Sequence, residues 1–68
     1  MIKCHLSRLM GERRIKIAEL ARDTGINRGT LTRLFHENAT RIDLDVIDQL
    51  CGHLGCQVGN LFEHQDEA

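Results

Sequence analysis

The chain has 68 residues, no proline, tryptophan or tyrosine, and two aromatics, Phe35 and Phe62. That leaves room for one domain with one small core, and with no run of strand-like alternation the expected fold is all-α. The formal net charge of -1 conceals an asymmetry: nine Lys and Arg with four acids give residues 1–41 a charge of +5, whereas six acids without a Lys or Arg give residues 42–68 a charge of -6.

A basic front and an acidic rear would orient the molecule on a polyanion, so the overall balance does not exclude nucleic acid. The rival reading is that the two halves attract their opposites in another copy. No apolar run is long enough to span a bilayer or to form a signal-peptide core, so no membrane partner and a cytoplasmic location are expected. Three cysteines, an odd count, do not make a disulfide framework and read as reduced thiols.

In chain order, residues 2 to about 12 read as a first helix. Ile2, Leu6, Leu9 and Met10 follow helical spacing, the stem of Arg13 covers an edge, and Gly11 weakens the end. Ile15 should point inward. Lys16 takes the cap position of the next helix, where its side chain is a poor acceptor. Helix two, about 17–24, carries the apolar stripe Ile17, Ala18, Leu20 and Ala21.

A tight break follows at Thr24-Gly25-Ile26-Asn27. Gly25 can take the left-handed conformation that ends a helix, Ile26 can plug the core, and Asn27 can accept the free N–H groups of the next helix. Helix three, about 28–36, buries Leu31, Leu34 and Phe35. The unit is a helix-turn-helix. Residues 37–41 form a polar loop, with Asn38 as its candidate turn or left-handed residue.

Asp43 is a candidate cap for helix four, whose buried face would be Leu44, Ile47, Leu50, Cys51 and Leu54. Gly55 can end it and Cys56 can plug inward. A short last helix, about 58–63, offers Val58, Leu61 and Phe62. These three complete the core or form an apolar dimer seam. The tail His64–Ala68 reads as polar and frayed.

The chemistry concentrates on helix three. Arg28, Gly29, Thr32, Arg33 and His36 fall outside its apolar stripe, a basic and hydrogen-bonding face with no acid before Glu37. An arginine fork matches guanine O6 and N7 in the major groove, so Arg28 and Arg33 are the first candidates for base contacts. The plain alternative is a solvated face. Cys51, His53 and Cys56 lie close in sequence, but helical directions spread them and zinc-finger spacing is absent, so no metal or other cofactor is expected. Gly-rich phosphate loops, serine elbows and paired carboxylates are missing, which argues against an enzyme.

The phrases IAELARDTGINRGTLTRLF and LDVIDQLCGHLGCQVGNLF together resemble the Cro/C1-type, or Xre, helix-turn-helix family over roughly residues 2–63. The resemblance implies a compact five-helix, lambda-repressor-like DNA-binding domain over 1–68, with helix three in the major groove of double-stranded DNA. It implies base contacts from Asn27, Arg28, Gly29, Thr32 and Arg33, and phosphate contacts from the loop residues Asn38, Thr40 and Arg41. Two departures stand out. Ile17 falls where the family often has a phosphate-touching glutamine, and Lys16 replaces the usual Ser or Thr cap, so Lys16 or Arg14 would supply the phosphate contact instead. The implied function is sequence-specific transcriptional regulation, with repression at a short operator by a homodimer as the leading form. The alternative is a non-catalytic protein–protein module of the same fold, such as an antitoxin-like or phage regulatory partner.

Overall fold

Eight leucines, at positions 6, 9, 20, 31, 34, 50, 54 and 61, close around Met10 and Ile26 to make the core. The computed structural model describes residues 1–66. Its elements run β1 (Ile2–Cys4), α1 (Leu6–Arg13), α2 (Ile17–Thr24), α3 (Arg28–Phe35), α4 (Leu44–Leu54), α5 (Val58–Leu61) and β2 (Phe62–His64). The helix-turn-helix, α2 and α3, packs on α1 and α4, and half-buried Ala21, on α2, packs against the core.

The five helices lie where the periodicity puts them, but the chain is not all-α. Ile2–Cys4 is a strand rather than the first turn of helix one, and Phe62–His64 is a strand rather than the end of helix five. They pair antiparallel, Ile2 with His64, Lys3 with Glu63 and Cys4 with Phe62. The chain extends the ladder beyond the strands: the Gln65 N–H donates to the Met1 carbonyl at 2.8 Å, and the His5 N–H to the Leu61 carbonyl at 2.8 Å. The tail is therefore anchored through Gln65 instead of fraying from His64, while Glu67 and Ala68 lie outside the described residues. Strands of three residues carry too little alternation to be seen locally, and their pairing partner is some sixty positions away.

Three of the first four helices end on a left-handed residue, Arg14 (φ 54°), Gly25 (77°) and Gly55 (65°), and α3 is followed by one, Glu37 (59°), just past its cap His36. Two of these are not glycine, an uncommon choice because Cβ crowds the following carbonyl. The turn expected at Asn38 is thus made one residue earlier, by Glu37. Asn38 instead donates its N–H to the Arg33 carbonyl at 2.8 Å, capping the end of α3.

Four expectations about faces change, and one about a cap. Leu44, expected on the buried side of α4, is 81% exposed, and Ile2 is 63% exposed. Ala18 is exposed at the edge of its stripe. Asp43 sits at the cap position of α4, but its side chain makes no capping hydrogen bond. Leu61 is fully buried, so it belongs to the core and not to a dimer seam; Val58, 54% exposed, and half-buried Phe62 remain available. Val58 points out because α5 is a single turn, and only Leu61 of its residues reaches the core. Leu61→Ala should lower the unfolding free energy by about 2–5 kcal/mol through the cavity it leaves, whereas Val58→Ala should cost less than about 1 kcal/mol. Urea denaturation at two protein concentrations checks both, because a seam residue would show a concentration-dependent loss.

Candidate nucleic-acid interface

The site begins at the turn. The Thr24 hydroxyl donates to the Leu20 carbonyl at 2.6 Å and accepts the Ile26 N–H at 3.2 Å. This closes α2 and directs Ile26 into the core. Asn27 then caps α3 as expected: its Oδ1 accepts the N–H groups of Gly29 at 2.8 Å and Thr30 at 3.2 Å. With its oxygen used on the helix, the Asn27 amide NH₂ remains the group free to donate outward.

Gly29 has a structural reason. A Cβ there would lie 3.0 Å from the Asn27 Oδ1 and 3.6 Å from an Arg33 guanidinium nitrogen. Without a side chain at 29, the cap oxygen stays close and the Arg33 guanidinium folds back toward the start of the helix. There it donates to the Thr30 hydroxyl at 3.4 Å. Thr32 is half-buried and its hydroxyl donates to the Arg28 carbonyl at 2.9 Å. Its hydrogen is thus used within the helix, leaving its methyl and the oxygen's lone pairs for any ligand. His36 is exposed, with its ring edge-on to Phe35 at a centroid distance of 5.1 Å.

The candidate residues fall into three groups. Lys16, Ile17 and Arg28 share one open depression, which Ser7 and Phe35 also line. Arg33 lies with Gly29 and Thr30 on α3. Thr40 and Arg41 line a separate apolar groove with Ile2, Ile42, Ile47 and Phe62, so Arg41 borders the terminal ribbon as well as α3. Ile17 packs against the core as a half-buried residue, consistent with its making no polar contact. The Lys16 side chain makes no capping bond, which leaves the first N–H groups of α2 free of a side-chain partner.

Electrostatics separate these cations from the rest. Lys3, Arg13 and Arg22 each lie near a carboxylate: Glu37 at 3.7 Å, Glu12 at 3.8 Å and Asp23 at 3.2 Å. Arg14, Lys16, Arg28, Arg33 and Arg41 form no ion pair among the described residues; neither does Arg8, on the exposed side of α1, which no motif singles out. Missed as well was Glu37. Its carboxylate accepts the Cys4 N–H at 3.1 Å and faces Lys3, tying β1 to the end of α3. No local signal marks that contact, since it links residues 33 positions apart. Burial pushes the Cys4 thiol up, its bond from the Leu6 backbone N–H opposes this, and the nearby Glu37 charge adds to the rise.

The match to known proteins follows the same outline. The sequence matches the Cro/C1-type HTH DNA-binding domain over residues 5–67. The chain belongs to that family. Among solved structures, this Cro/C1-type domain is similar to a candidate DNA-binding protein from Bacteroides fragilis, with a TM-score of 0.76 and 19% identity. The likeness covers 93% of this chain and 100% of that one, and it speaks to the fold. No curated protein matches the chain. Among the described residues no group of three or more His, Cys, Asp or Glu could hold a metal, and no helix is long and apolar enough to cross a membrane. Asn27→Ala in this Cro/C1-type domain should cost about 1 kcal/mol of stability by leaving two N–H groups at the start of α3 uncapped. Thermal unfolding followed by circular dichroism measures it, and Asn27→Asp should retain most of the wild-type value.

Proposed function

We propose that this domain is a transcriptional regulator that binds a short operator in double-stranded DNA, acts chiefly by repression, and does so as a two-fold homodimer. The observation that carries the reading is the distribution of charge. Of the six cations without a carboxylate partner among the described residues, five are those proposed for DNA: Arg14, Lys16, Arg28, Arg33 and Arg41. A cation held in an intramolecular pair must break it to meet a phosphate, and these need not.

In this reading α3 enters the major groove. Arg28 and Arg33 read base edges, with Asn27, Thr32 and the side-chain-free surface at Gly29 beside them. Arg14, Lys16, Asn38, Thr40 and Arg41 contact phosphates on either side, positioning the helix without reading sequence. Lys16 and the uncapped start of α2 take the place of a polar clamp that Ile17 cannot form. One α3 reads few base pairs, and a two-fold dimer doubles them over half-sites about 34–36 Å apart. Val58 and Phe62 are the parts of the expected seam that remain free to join in it. Repression needs only that the bound domain cover a promoter.

Selection from a random duplex pool should enrich a palindrome. Arg28→Ala and Arg33→Ala should each cost about 1–3 kcal/mol on that sequence and relax the preference at one position per half-site. Arg41→Ala should weaken all sequences alike and flatten the salt dependence by roughly one phosphate contact. Failure to enrich any sequence, together with capture of a protein partner that survives both Arg28→Ala and Arg33→Ala, would replace this reading with a protein-docking module. Arg14→Gly separates stability from binding. Relief of the left-handed backbone should raise stability by about 1 kcal/mol or less, while the lost charge lowers affinity at low salt.

A further inference from the structure

The end of α4 brings two thiols together. Gly55 adopts φ 65° just after the helix, and the Cys56 N–H turns back to donate to the Cys51 carbonyl at 3.0 Å. In a helix end of this kind the residues at the two ends of that backbone bond pack side chain against side chain. Here both are cysteines. Each is half-buried against the core, neither is fully enclosed, and neither lies on the candidate DNA face. The third cysteine, Cys4, is on β1 opposite Phe62, in a different part of the molecule.

We propose that Cys51 and Cys56 form an oxidisable dithiol that closes into an intramolecular disulfide across the end of α4, leaving Cys4 as a thiol. The geometry suits the bond. Disulfides require Cα atoms within about 4.4–6.8 Å, and a direct backbone hydrogen bond between the same two residues holds their Cα atoms near one another. The Cys56 thiol is a close enough neighbour to disfavour the Cys51 thiolate. Burial first, then that neighbour and Asp48, push the Cys51 thiol above its ordinary value. That rise slows a first attack by Cys51 on an oxidant, whereas ring closure, being intramolecular, is fast.

With oxidised glutathione as the oxidant, one protein thiol loses its proton and its sulfur attacks the glutathione disulfide. A protein–glutathione mixed disulfide forms and one glutathione thiolate leaves, taking up a proton. The second protein thiol, deprotonated in turn, attacks the protein sulfur of the mixed disulfide and expels the second glutathione. The two protein thiols together lose two electrons and two protons, and one glutathione disulfide becomes two glutathione thiols. The new loop is short, so its closure adds little stability through chain entropy. What it fixes is the turn from α4 into α5. This proposal is independent of the DNA-binding reading.

The full chain, incubated with oxidised glutathione and quenched in acid, provides the test by thiol titration, intact mass and peptide mapping. The expected result is a fall from three titratable thiols to one, an intact mass lower by two hydrogens, and a peptide joining Cys51 to Cys56. Cys4→Ser should form the same cross-link. Cys51→Ser and Cys56→Ser should each stop at a glutathione adduct. In guanidinium, where the helix end is lost, the yield of the Cys51–Cys56 bond should fall severalfold. Stable glutathione adducts on the native chain, dimers linked through Cys4, or equal closure in the folded and unfolded chain would each overturn the proposal.

Discussion

The orientation of α3 depends on four residues, Thr24 to Asn27. Thr24 ties the end of α2 to the turn through both faces of its hydroxyl, Gly25 takes a conformation that costs other residues a steric penalty, Ile26 is 6% exposed, and Asn27 starts the next helix. Each step satisfies a backbone group that the preceding helix end or the following helix start leaves free. The buried Ile26 fixes the turn against the core, and Leu31 and Leu34 fix the helix that follows. The polar face of α3 is then presented outward, because its apolar face has no other place to go. The exposed face of α3 is a by-product of packing: the core orients the helix, and the remaining side chains become available.

The terminal ribbon performs a second task. A chain this short has a high ratio of surface to volume, and its α5 is a single turn that could not persist alone. The ribbon joins the two ends of the chain, and the His5 N–H to the Leu61 carbonyl carries the ladder into α1 and α5. A second anchor is Glu37. Its backbone is held in the left-handed region at the end of α3, while its carboxylate receives the Cys4 N–H and faces Lys3. The C-terminal end of α3 is thereby braced by β1, and its N-terminal end by the Asn27 cap. The helix is held at both ends while its outward face stays open.

Charge is arranged with the same economy. The surface pairs that do form, such as Arg22 with Asp23, are largely exposed and contribute little to stability. Their relevance is negative: they occupy Lys3, Arg13 and Arg22 and leave the two arginines on α3 itself, Arg28 and Arg33, without a carboxylate partner among the described residues. The acids of the second half lie mainly on α4 and in the tail, where Asp45 also favours the start of α4 as a helix dipole partner. What folding leaves of the positive charge of the first half is a set of six cations without a carboxylate partner among the described residues.

The helices and the turn between α2 and α3 were legible because their determinants are local. Ile17 with Leu20, and Leu31 with Leu34, repeat at helical spacing, and Gly25 and Asn27 act through backbone groups two or three residues away. The Asn27 cap and the left-handed Gly25 needed no tertiary information, and the family resemblance rested on the same positions. Tertiary structure decided the rest. Ile2–Cys4 became a strand because Phe62–His64 was available to pair with it, and no three-residue stretch can announce a partner at the other end of the chain. Leu44 and Leu61 look alike in sequence, each leucine near the start or end of an apolar stripe. One is exposed and the other fully buried because burial depends on which neighbouring element stands opposite. Arg14 and Glu37 entered the left-handed region although their residue type disfavours it, since the contacts on either side fixed where their helices had to stop. Five of the six free cations were named from the sequence, Arg8 being the exception, but only the folded chain, by pairing Lys3, Arg13 and Arg22, determined which of the nine have no carboxylate partner among the described residues.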